Sequence, residues 1–140
     1  MRRAARVVLL LVSILNGIAG LICGVLFVVS PDGSLMGFEP LVSVIEALPL
    51  AHIFFQDLLW IGVAMLLVLG LPNTVATVLL IRRNARQYLA TLLAGVLLML
   101  WTGFELIYMY NVAAVGYFIV GALSILLSVL LRRETSQPSA

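Results

Sequence analysis

Lysine is missing from this chain, and cysteine and histidine occur once each, as Cys23 and His52. One cysteine closes no intrachain disulfide. One histidine without a second His or Cys gives no zinc-type ligand pattern, so no metal is assigned. Charge is scarce too, at 10% of residues against about 25% in a soluble domain. The motifs GxxxxGK[ST], GxSxG, HExxH and CxxC are all absent, which leaves no phosphate cradle, nucleophile elbow or zinc centre to argue from. No catalytic residue and no cofactor follow. A lipid-modifying enzyme with a carboxylate acid/base pair is the least favoured of three readings.

What is abundant is apolar surface. The 140 residues are 64% hydrophobic, with a mean hydropathy of +1.22. A soluble fold of this length would expose much of that surface and aggregate. A bilayer removes the difficulty, and at about 20 apolar residues per crossing the length allows roughly four spans. The fold class is an all-α integral membrane protein: four transmembrane helices in one domain, arranged as an antiparallel bundle. The apolar runs place the spans at about 7–29, 52–81, 87–110 and 112–131, with a polar tail at 134–140. The first run is longer than the 7–15 residues of a signal-peptide core, so it reads as a retained span.

The only substantial loop joins the first two spans. Ser30-Pro31-Asp32-Gly33 has turn chemistry. Between Pro40 and Pro49, the residues Leu41, Val44, Ile45 and Leu48 recur at helical spacing, which predicts a short helix at the membrane interface with Pro40 in its first turn.

The arginines orient the chain. Arg2, Arg3 and Arg6 stand at the head, Arg82, Arg83 and Arg86 between the second and third spans, and Arg132 and Arg133 after the fourth. Four crossings put these places on one side. Basic residues mark the cytoplasmic side, so both termini are expected in the cytoplasm of a multi-pass cell-membrane protein. That placement accounts for the positive charge without a nucleic-acid partner; the bilayer is the partner expected.

Small residues mark packing faces. Ser13, Asn16, Gly17, Gly20 and Gly24 recur at three- and four-residue steps, and Gly20–Gly24 is a GxxxG that lets helix backbones approach closely. The stripe serves either packing within one bundle or the seam of a homodimer or larger membrane partner. Asn16, near the middle of the first span, should find a hydrogen-bond partner across a helix interface. In the second span Pro72 removes a backbone donor and should kink the helix, which makes Pro72–Asn73 the candidate hinge.

The candidate binding residues come from carboxylates inside spans, which are costly and so usually face an interior or a wet cavity. Glu105 lies about five residues, or roughly 7–8 Å, from the end of the third span. Asp57 lies about five residues into the second when the span is counted from His52. Trp60 and Trp101 sit slightly deeper, and Gln56, His52 and Tyr108 slightly shallower. In helices of opposite direction these residues meet at one depth, in the outer leaflet. All the aromatics except Tyr88 map to the same half, although ordinary membrane proteins carry belts at both interfaces.

Carboxylates and aromatic walls together suit an organic cation. The expectation is therefore an outer-leaflet pocket of Asp57, Glu105, Trp60, Trp101, Gln56, His52 and Tyr108, serving a small-molecule, cation or proton-coupled carrier. An asymmetric anchoring belt explains the same aromatics without a pocket. A non-catalytic membrane scaffold or accessory subunit, binding through the small-residue faces, is the alternative function.

Overall fold

A computed structural model describes residues 2–49, 53 and 57–135. Helices dominate, and no strand occurs among the described residues. In chain order they are α1 (Arg2–Val29), a 3-10 turn (Ser34–Met36), α2 (Glu39–Glu46), α3 (Leu59–Ile81), α4 (Gln87–Tyr108) and α5 (Val112–Thr135). Four of them, α1, α3, α4 and α5, are long and apolar enough to cross a membrane. The 22 residues of α4, the third of these spans, reach about 33 Å at 1.5 Å per residue. α1 packs on α3 and α5, and α4 packs on the same two helices.

The contact between α1 and α3 is built from glycine. A Cβ added at Gly20 would lie 2.4 Å from the Gly70 nitrogen and 2.5 Å from Leu69 Cβ, so the two backbones touch without a side chain between them. One step along, Gly24 meets Gly62 and Leu66, and one step back Gly17 meets Thr74. The three glycines of the stripe foreseen on α1 are thus packed against α3 of the same chain, and Ser13 and Asn16 are buried beside them. α4 and α5 meet in the same way, Gly95 against Gly121 and Ile125, and the Ser128 hydroxyl donates to Thr91 Oγ1 at 2.7 Å.

α3 starts later than its apolar run. The chain turns at Asp57–Leu58 and the helix begins at Leu59, where the backbone N–H donates to Asp57 Oδ1 at 2.9 Å. A short carboxylate that bonds the backbone two residues on competes with helix and favours its start. Further along, Met65–Gly70 is wound as a π-helix, with Leu71 N–H reaching back five residues to the Leu66 carbonyl. Pro72 lacks a donor, and its ring crowds the carbonyl four residues earlier, that of Val68. Widening the preceding turn relieves this crowding. The next two carbonyls along the chain keep partners: Asn73 Nδ2 donates to Leu69 O at 2.9 Å and Thr74 Oγ1 to Gly70 O at 2.8 Å.

The two ends of the molecule differ in charge. At the arginine end, Leu9, Leu80 and Leu131 form a buried cluster, and the Arg6 guanidinium donates to the Leu80 carbonyl. α3 stops there in a Schellman turn, with Asn84 N–H on Leu79 O at 3.0 Å and Arg83 N–H on Leu80 O at 3.3 Å. This requires Arg83 at φ 52°, a left-handed position usually given to glycine. At the opposite end, Phe27, Ile45 and Leu58 form a second buried cluster, through which α2 is fixed to α1 and α3. In the adjoining loop, Asp32 is held below the ordinary carboxylate range by the Ser30 hydroxyl first, then by the Ser34 N–H and hydroxyl.

Candidate functional site

A cavity of about 150 Å³ lies at the end of the molecule away from the arginines, walled by α2, α3, α4 and α5. α4 contributes the largest share of the wall, by helical spacing. Leu98, Thr102 and Glu105 share one face, and Trp101, Phe104 and Tyr108 form a ladder on the next. Trp101 and Phe104 have centroids 6.0 Å apart, and Phe104 and Tyr108 stack at 5.7 Å with planes 13° apart. α3 adds Ile61, Met65 and Leu69, and α5 adds Ala113, Ala114 and Tyr117. Ile45 of α2 and Leu48 just beyond it close one end, where the Tyr108 hydroxyl donates to the Pro49 carbonyl.

Glu105 is the one charged group on this wall among the described residues. Its Oε1 accepts from Asn111 Nδ2 at 3.1 Å. Asn111 lies between α4 and α5, and its Oδ1 accepts from Ala114 N–H at 2.7 Å, the bond of an N-cap. One amide therefore starts α5 and fixes the carboxylate at the end of α4. The Thr102 hydroxyl is turned back to the Leu98 carbonyl at 2.7 Å, so it offers the cavity no free donor.

The structure brings together three of the expected binding residues: Glu105, Trp101 and Tyr108. Two others are elsewhere. Asp57 is not on the cavity wall; its carboxylate serves the first turn of α3. Trp60, in that turn, is 59% exposed and also off the wall. The pairing of two acids in one hollow is thus replaced by one acid in a hollow and one acid at a helix start, because the local Asp57–Leu59 bond sets where α3 begins. His52 and Gln56 lie outside the described residues.

Of the packing residues, Gly20 and Gly24 meet α3. Asn16 is buried but makes no side-chain hydrogen bond among the described residues, so the cross-helix partner expected for it is not found there. The buried Asn73 uses its amide on its own helix.

Sequence reasoning missed Asn111 as a partner of Glu105 and missed the walls supplied by Ile45, Leu48 and Tyr117. A signal for the first existed, since asparagine immediately before an apolar helical run is an N-cap pattern. No family model, curated protein or solved structure matches the chain.

Proposed function

We propose that this is a multi-pass cell-membrane protein whose four spans form an antiparallel bundle, with both termini and the arginines in the cytoplasm and α2 lying along the outer interface. Its cavity, then in the outer leaflet, binds a small organic cation for carriage across the membrane. The observation that carries this reading is Glu105 on the wall of an otherwise apolar, aromatic hollow. A carboxylate attracts a cation far more strongly in a poorly hydrated hollow than in water. The faces of Trp101, Phe104, Tyr108 and Tyr117 add cation–π attraction. Asn111 holds the carboxylate in place while leaving its second oxygen to a ligand. The volume of about 150 Å³ matches a compact ligand, on the order of 30 Å³ per water-sized group. The widened turn of α3 before Pro72 and Asn73 supplies a hinge, since such π segments occur often at functional sites.

Proton coupling needs only that Glu105 hold either a proton or the cation. The test is uptake of tetramethylammonium, whose five heavy atoms need about 150 Å³ on the same scale, into liposomes containing the protein, driven by a pH gradient. Glu105→Gln should abolish uptake. Asp57→Asn should preserve it, because an amide oxygen can still accept the Leu59 N–H. Uptake by Glu105→Gln at the native rate would overturn the reading and favour the scaffold.

A further inference from the structure

We infer that the cation taken by this cavity is the head of an amphiphile that enters sideways from the outer leaflet and leaves its chain in the lipid. The inference rests on the cation-binding reading above and adds the route and the class of ligand. Three observations carry it.

The end of the hollow that would face the outer headgroups is roofed. Ile45 is 2% exposed and locked among Phe27 and Leu58, Leu48 lies on the wall beside it, and Tyr108 is bonded to the Pro49 carbonyl. The side of the hollow along α4 is not sealed. Phe104 lines the cavity and is 43% exposed, and its neighbours Trp101 and Tyr108 are half-buried, so the rings that wall the hollow are themselves part of the accessible surface. Finally, the volume of about 150 Å³ holds a compact head and no long chain. A dodecyl chain alone needs more than twice that, at on the order of 30 Å³ per water-sized group. A head at Glu105 with its chain passing between the rings of α4 and the lipid satisfies all three.

The probes are N-alkylpyridinium ions, which quench tryptophan emission, from methyl to dodecyl. The protein is held in vesicles of digalactosyldiacylglycerol, a lipid with neither net charge nor an ammonium group. Trp60→Phe leaves Trp101, on the cavity wall, as the only reporter. Trp101→Phe leaves Trp60, off the wall, to report the probe dissolved in the membrane.

Saturable quenching of Trp101 is expected, removed by Glu105→Gln and not matched at Trp60. Its half-saturation concentration should fall about fourfold per added methylene, as membrane partition does, through to dodecyl. If N-methylpyridinium gives Glu105-dependent quenching but longer chains lose it, the ligand lies wholly inside the hollow; the sideways route is then wrong while the cation pocket stands. If no member of the series gives Glu105-dependent quenching, both fail. Glu105→Gln keeps a carbonyl for Asn111 Nδ2, and an unchanged far-UV circular dichroism spectrum checks that it folds.

Discussion

Replacing Gly20 with alanine is the sharpest test of how the helices are held. The added methyl would sit 2.4 Å from the Gly70 nitrogen and 2.5 Å from Leu69 Cβ, where uncrowded heavy atoms keep about 3.5–4.0 Å. Both obstacles belong to the backbone or its first carbon, so no rotamer change relieves them, and α1 and α3 must separate by about 1 Å. Overpacking of this kind costs about 1–3 kcal/mol, and a rigid obstacle argues for the upper end. Alanine returns about 0.5–1 kcal/mol of helix preference. The net expectation is a loss of about 2 kcal/mol, roughly a thirtyfold fall in the folded-to-unfolded ratio. Gly116→Ala is the matched control, since a Cβ there meets nothing within 4 Å, and it should gain about 0.5–1 kcal/mol. Both can be read from reversible unfolding by sodium dodecyl sulfate in mixed micelles, followed by far-UV circular dichroism. Gly20→Ala unfolding at or above the native midpoint would refute the close α1–α3 contact.

Other outcomes follow from single positions. Arg83→Gly should stabilise by about 1 kcal/mol, because it removes the cost of a left-handed side-chain-bearing residue at φ 52°; the same unfolding titration shows it, and Arg83→Ala should gain nothing. Asn111→Ala should cost about 1 kcal/mol for the lost cap and speed amide exchange in the first turn of α5, at Ala114 above all. Asp32 is depressed in the folded chain, so its contribution to loop order is complete above the unfolded carboxylate range and is lost as pH falls through its lower folded value. Protection of the Ser34 amide, the slowing of its exchange relative to an unstructured chain at the same pH, should accordingly fall only below about pH 4, and Asp32→Asn should remove that dependence.

How much of this the sequence carried depends on the range of the interaction. The four apolar runs and the small-residue stripe of α1 were legible, because periodicity and residue size decide which face two helices can share. The start of α3 was not. Asp57 sits in a long apolar stretch, and its bond to the Leu59 N–H ends a helix that hydropathy alone would extend back to His52. Pro72 announced a disturbance, yet the widened turn lies before it at Met65–Gly70, since the ring crowds a carbonyl one turn earlier. At the site, Glu105, Trp101 and Tyr108 were found by asking which polar and aromatic groups lie inside a span. The Asn111 bond to Glu105 crosses the α4–α5 turn, and the Ile45 and Leu48 wall depends on α2 folding onto the bundle. The N-cap pattern announced Asn111 at the start of α5 but not its bond to Glu105, and the α2 wall has no period that a linear pattern could reveal.

The claim that Glu105 is the counter-charge for a bound organic cation is tested most directly by equilibrium binding of radiolabelled tetramethylammonium to the purified protein at neutral pH. The native chain and Asp57→Asn should bind saturably with similar affinity, and Glu105→Gln should bind at least about tenfold more weakly, or about 1.4 kcal/mol. Equal binding by the native chain and Glu105→Gln would contradict the account.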